Sequence, residues 1–263
     1  MSFQYVYNII KIYYWQSLEC HGTRTTATDA YIGTSKFNTT YNNPMYVGYM
    51  YGTSNATAID RSNTTNSTIK GVIDTWYKNN LNTNYGKYLS TTAVYCNDRS
   101  NPAGGYNTGN TSFDYGARTR LDINKTPTYD CATTEDKFTV DTSTGNGKLT
   151  YPIALMTADE VSFAGGLIWT NAPTWYYYNS ANGSSTGTNW WWLLSPNYWS
   201  GSGAGVFGVG GSSGPGYLSG NRVSDAGNVR PAISLKSCIK YSTGDGSAGT
   251  PYTIEETTST SGC

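Results

Sequence analysis

Charge is scarce in this chain. Only 13% of its 263 residues are Asp, Glu, Lys or Arg, and 17 basic residues balance 17 acidic ones. At zero formal net charge there is no electrostatic footprint for nucleic acid or for an anionic membrane surface. Histidine is almost absent, with His21 alone. A Ser-His-Asp triad or a multi-histidine metal site would have to be built around that one residue. Its neighbour Cys20 would point to the opposite face of a strand, so no thiolate–imidazole pair is set up there. The five cysteines, Cys20, Cys96, Cys131, Cys238 and Cys263, contain no C-x-x-C pair, which speaks against structural zinc. No apolar run is long enough for a membrane-spanning helix. The apolar stretch Tyr5–Trp15 carries Lys11 and several tyrosines and reads as a strand rather than as a signal segment. A missing leader then means either a trimmed chain or another route out of the cell.

Aromatics and glycine are abundant: 24 Tyr, 8 Trp and 30 Gly. That is the composition of a loop-rich body packed with rings, and it is far too aromatic for disorder. Residues 3–19 read as one or two strands, and 23–66 as loops and short strands. A first helix starts at Ser67 or Thr68, with Ile69, Val72, Ile73, Trp76 and Tyr77 on one face, and the asparagines from Asn79 to Asn82 end it. Residues 94–127 read as a long polar loop. A second helix starts at Thr157, which forms a capping box with Glu160. Val161 and Phe163 supply its buried side, and Gly165 and Gly166 stop it. No hinge splits the body, so 1–252 is expected to be one domain and 253–263 a flexible tail.

The most informative segment is 190–236. It opens on Trp190, Trp191, Trp192, Leu193, Leu194, Ser195 and Pro196 and closes on Gly227, Asn228, Val229, Arg230, Pro231, Ala232, Ile233, Ser234, Leu235 and Lys236. Between them Val206, Phe207, Val209, Leu218 and Val223 alternate with small or polar residues. If the apolar set packs inward, the outward set is Tyr198, Trp199, Ser200, Ser202, Gly208, Gly210, Ser212, Ser213, Tyr217, Ser219, Asn221, Arg222, Ser224 and Asp225. Tyr, Ser, Gly, Asn and Arg are the residues of antibody-type contact surfaces. The three tryptophans could form a stacking platform, but neighbours on a strand alternate faces, so at least two rings belong in the core. The stretch from Gly203 to Gly208 matches G-x-G-x-x-G with Asp225 downstream, yet no helix follows and no βαβ unit surrounds it, so dinucleotide binding is rejected.

These opening and closing motifs resemble a bacterial family of C-type-lectin-like domains, distantly related to the formylglycine-generating (sulfatase-modifying) fold. Residues 43–50, 67–77, 96–100 and 149–161 fit the same family, and the likeness spans roughly residues 5–254. Many such domains are variable proteins of diversity-generating retroelements, in which adenine-directed mutagenesis rewrites surface codons. The resemblance implies an α+β, C-type-lectin-like fold, with two helices beside a small, mostly antiparallel sheet and high loop content. It implies a Cys96–Cys131 disulfide, with free buried thiols as the alternative, and a weaker case for a Cys20–Cys238 bridge. It also implies that Arg230 is a buried framework arginine.

The catalytic and calcium chemistries of the relatives do not carry over. The paired copper-binding cysteines of the oxidases are missing, because Cys238 stands apart from the tail Cys263. The E-P-N or Q-P-D and W-N-D motifs of calcium-dependent sugar binding are missing as well. Function lives in sites grafted on folds. The sequence therefore reads as a non-catalytic ligand-binding receptor or adhesin, extracellular or on a cell surface, monomeric, with no metal and no cofactor. Its ligand would be a protein or carbohydrate on another cell or virus. The alternatives are a diverged formylglycine-type enzyme and a structural surface or pilus-tip module. Asn97, Asp98, Arg99, Arg118 and Arg120 could line a polar pocket, but knitting the long loops by hydrogen bonds is the commoner role of such residues.

Overall fold

A computed structural model describes residues 10–13, 31–53, 60–101, 111–172, 190–210, 214, 216–243 and 253–254. His21, Cys20, Cys263 and most of the expected tail lie outside them. The largest sheet has seven strands. Its backbone is a meander of Trp191–Trp199, Ala204–Val209 and Tyr217–Arg222, paired antiparallel in that order. Gly227–Asn228 joins Trp191–Trp199 in parallel and continues antiparallel to Thr34–Ser35. Leu167–Ile168 joins Tyr217–Arg222 in parallel and forms the other edge, and Phe113–Asp114 pairs with the end of Trp191–Trp199. A second sheet places Pro231–Leu235 between Ile10–Tyr13 and Ile153–Leu155. Three two-stranded sheets complete the strands.

The described residues form four α-helices: α1 (Thr68–Asn80), α2 (Asn82–Tyr85), α3 (Gly116–Arg118) and α4 (Ala158–Phe163). The helix α1 is capped by Ser67, whose side chain accepts from the Lys70 amide at 3.3 Å. It buries Ile69, Ile73 and Tyr77, and Tyr77 stacks on Tyr151 at 4.8 Å. Val72 and Trp76 are only partly covered. The helix α4 begins at the Thr157–Glu160 capping box, and Val161 is its buried residue. Phe163, expected inside, is 37% exposed and stacks on Tyr129 at 4.2 Å.

The expected two helices and small, mostly antiparallel sheet are therefore corrected to four helices and a mixed seven-stranded sheet. The class is α+β in outline, and the lectin-like fold is not what these elements establish. The physical reason is local. Residues 94–127 are not all loop, because α3 runs on into a π-helical turn, Thr119–Asn124, whose Leu121 is buried. The parallel pairings involve two-residue strands, too short to show any alternation in sequence. Among the described residues no helix is long and apolar enough to cross a membrane.

Much of the chain between these elements has no ladder to satisfy its backbone, and three consecutive residues supply the missing partners. Asn97 accepts from the Tyr49 amide at 2.8 Å and donates to the carbonyls of Leu194 at 2.8 Å and Val47 at 3.3 Å. Asp98 accepts from Arg120 at 2.6 Å, and Arg120 also grips Asp159 of α4 at 2.9 Å. Burial would raise the Asp98 carboxyl, but the hydrogen bonds from Arg120 and Ser100 hold it below its ordinary value. Arg99 donates from Nε to Asp136 at 2.6 Å and from its two Nη atoms to Met50 O at 2.9 Å and Asn63 Oδ1 at 3.1 Å. Beside them a disulfide joins Cys96 to Cys131 across 35 positions, which contributes roughly 4 kcal/mol by constraining the unfolded chain. Cys238 is disulfide-bonded too.

Arg99 and Asp136 are both buried. Replacing Arg99 by Leu should leave the buried Asp136 with only the partly exposed Arg61 as its charge partner, at 3.2 Å, and leave Met50 O and Asn63 unmet, at a cost of about 3 kcal/mol. Urea denaturation followed by tryptophan fluorescence measures this, and a loss under about 1 kcal/mol would show that the pair does not hold these loops.

Candidate ligand-binding surface

The meander is a buried frame. Trp191, Leu193, Val206, Phe207, Val209, Leu218, Val223 and Ile233 are all in the core. Trp192 is also buried, with its Nε1 donating to Ser35 O at 2.9 Å, while Trp190 is partly buried against it, ring to ring at 4.5 Å. Arg230 is buried with its guanidinium 5.1 Å from the Trp191 ring centre. The register between Trp191–Trp199 and Ala204–Val209 slips around Pro196, which has no N–H to give to a ladder.

Of the expected contact residues, Ser200, Ser202, Arg222 and Asp225 are exposed. Tyr198, Gly210, Tyr217, Ser219, Asn221 and Ser224 are half-buried, and Ser212 and Ser213 lie outside the described residues. Two assignments fail. Trp199 is 2% exposed, because it follows Tyr198 on the strand and so turns to the other, covered face. Gly208 is buried for a steric reason: a Cβ there would stand 2.7 Å from Asn221 Nδ2 and 2.9 Å from the Trp190 ring. Nor is the outward set a single face. Along Tyr217–Arg222, Tyr217, Ser219 and Asn221 alternate with Leu218, Gly220 and Arg222, so the contact residues lie on both sides of the strand.

What unites them lies partly outside the segment. Arg222 places its guanidinium 5.2 Å from the ring centre of Tyr41, and its backbone amide donates to Asp225 at 3.1 Å. Tyr198 stands opposite Gly205 and Asp114 on the strands beside it. Arg222 stands opposite Gly205 and Arg118 is held by Asp114, and the Tyr198 phenol is raised in pKa by burial, with both arginines opposing the rise and Asp225 adding to it. Arg118 pairs with Asp114 at 3.0 Å and holds its guanidinium 5.5 Å from the Trp169 ring. Trp169 meets Tyr217 edge to face at 6.2 Å. The result is a connected run: Tyr41, Arg222, Tyr198, Arg118, Trp169 and Tyr217. Tyr41 and Trp169 had no signal in sequence, being lone rings in polar or glycine-flanked stretches. Arg118 was assigned to loop bracing, whereas Arg120 does that work.

Rings and arginines of this kind make contacts through area, cation–π attraction and charge-assisted hydrogen bonds. Among the described residues no group of three or more His, Cys, Asp or Glu side chains could hold a metal ion. No protein-family model, no characterised protein and no solved structure matches the chain, so any functional reading rests on these residues alone.

The ring of Tyr198 lies across Gly205 on the next strand of the meander, where an added Cβ would collide with it, and reaches Gly220 on the strand beyond, where a Cβ would also meet Asn197. Gly205→Ala should therefore cost about 1–3 kcal/mol by overpacking. In a Tyr198→Ala background the same change should cost much less. A double-mutant cycle read by thermal melting gives the coupling, and strict additivity would mean that the ring does not occupy that bed.

Proposed function

We propose that this chain is a non-catalytic, ligand-binding receptor or adhesin, and that its contact surface is the run from Tyr41 to Tyr217 with the polar residues around it. One observation carries the reading: exposed and half-exposed rings and arginines are mounted on a frame whose own residues are buried. Rigid aromatic anchors surrounded by small adaptable polar groups give recognition at low entropic cost. A disulfide near the surface's supporting loops fits an oxidising, extracellular setting, at a cell surface or beyond it.

The same geometry supports diversification by a retroelement as a proposal about origin. Ser200, Ser202, Arg222 and Asp225 are exposed and able to change with little effect on the core, and the half-buried Tyr217, Ser219, Asn221 and Ser224 flank them. A reverse transcriptase gene beside a near-copy of the 190–236 coding segment would be its genomic signature. The ligand is then a protein or carbohydrate on another cell or viral surface.

A displayed library randomised at those eight positions tests the proposal. Each substitution at the exposed Ser200, Ser202, Arg222 and Asp225 should shift stability by under about 0.5 kcal/mol, as at ordinary surface sites. Most members should fold and different members should select different ligands. A library that mostly fails to melt cooperatively would make the segment core, and the receptor reading would fall.

A further inference from the structure

Trp169 is held in a way that an ordinary surface residue is not. Its backbone sits at φ 56°, the left-handed region that a bulky side chain rarely enters. Three contacts fix its ring all the same. Its Nε1 donates to Asp122 at 3.1 Å, Arg118 lies over it at 5.5 Å, and Tyr217 meets it edge to face at 6.2 Å. Yet the residue stays 41% exposed. Its one polar atom is already used, so the surface it offers to a ligand is carbon and π-face.

The rim of the ring is charged but balanced. Arg118 and Lys125 stand against Asp114 and Asp122, two against two, so the surface has no preference for an ionic ligand. The two cations can donate hydrogen bonds and the two carboxylates can accept them. A ligand matching both features needs an apolar C–H face bordered by neutral groups that can each donate and accept. A pyranose ring has that form: axial C–H bonds on one face and hydroxyls around the edge.

Building on the receptor reading, we infer that Trp169 is the preorganised platform for a neutral saccharide, with the polar side chains beside it contacting the hydroxyls. The anchor lies outside the 190–236 segment. Substitutions in that segment would therefore tune which sugar is held, while the stacking surface stays constant.

Affinity electrophoresis of the full chain through gels containing dextran, mannan or galactan, with dextran sulfate and polygalacturonate as acidic probes, tests the inference. At least one neutral polysaccharide should retard the protein, and more strongly than the acidic ones. Trp169→Gly should lose about tenfold or more in affinity, as for an interface anchor. Glycine accepts the left-handed backbone without strain, so this variant should fold, and an unchanged melting profile would show it. Trp169→Phe should keep binding within a few fold, and Tyr129→Ala, an exposed ring elsewhere, should bind like the parent. Retardation only by acidic polymers, retardation unaffected by Trp169→Gly, or no retardation by any neutral polymer would each overturn the inference. If the displayed library still yields binders in that last case, the receptor reading stands without the saccharide.

Discussion

Everything else in this molecule hangs on a buried polar knot at three consecutive residues. Asn97, Asp98 and Arg99 reach in three directions and bind backbone or side chains from the 47–50, 63, 120, 136 and 194 regions. A chain with so much irregular backbone cannot leave those N–H and C=O groups dry and unpaired. An apolar core could cover such loops but could not fix their positions, whereas a guanidinium with several partners at once sets each of them in distance and angle. Breaking one spoke leaves the others desolvated and unmatched, which is why such knots are all-or-nothing.

The knot explains how a ligand surface can be both irregular and rigid. Arg120 joins Asp98 to Asp159, so the helical turn that carries Arg118 and Asp122 is tied to the same centre as α4. From that turn Arg118 and Asp122 hold Trp169, and Trp169 leans on Tyr217 of the meander. Surface residues from separate loops thus inherit their positions from buried charge pairs. Preorganisation of this kind lowers the ordering cost of binding.

The sequence disclosed the parts of the fold that depend on near neighbours. The Ser67 cap, the Thr157–Glu160 capping box and the inward set Val206, Val209, Leu218 and Val223 follow from periodicity and local hydrogen bonding, which spacing records. It hid what depends on distant partners. Two-residue strands such as Leu167–Ile168 and Gly227–Asn228 carry no alternation, so their parallel pairing and the seven-stranded sheet were illegible. Strand alternation was itself applied too loosely at Tyr198 and Trp199, where it already required that only one of two neighbours face out. Phe163 was misplaced because its partner, Tyr129, is more than thirty residues away. Arg118 and Arg120 were indistinguishable by type, and only the geometry gives one to the surface and the other to the knot.

The division between frame and surface is not a clean one, and the exceptions limit how such a face can change. Gly205 is small because the Tyr198 ring lies over it, Gly220 because Asn197 and that ring crowd it, and Gly208 because Trp190 and Asn221 fill its place. These positions look permissive in sequence, yet each is a steric complement of a large neighbour. Asn221, half-buried with its Nδ2 covered, is constrained toward Gly208, and Tyr198 can shrink more readily than Gly205 can grow. A set of siblings varying on this surface should show asymmetric coupling: a small residue at 205 whenever an aromatic holds 198, and a larger one only where that ring is gone, while 220 stays small in either case because the buried Asn197 also fills its place. Packing between half-buried neighbours, rather than exposure alone, decides which combinations the frame can carry.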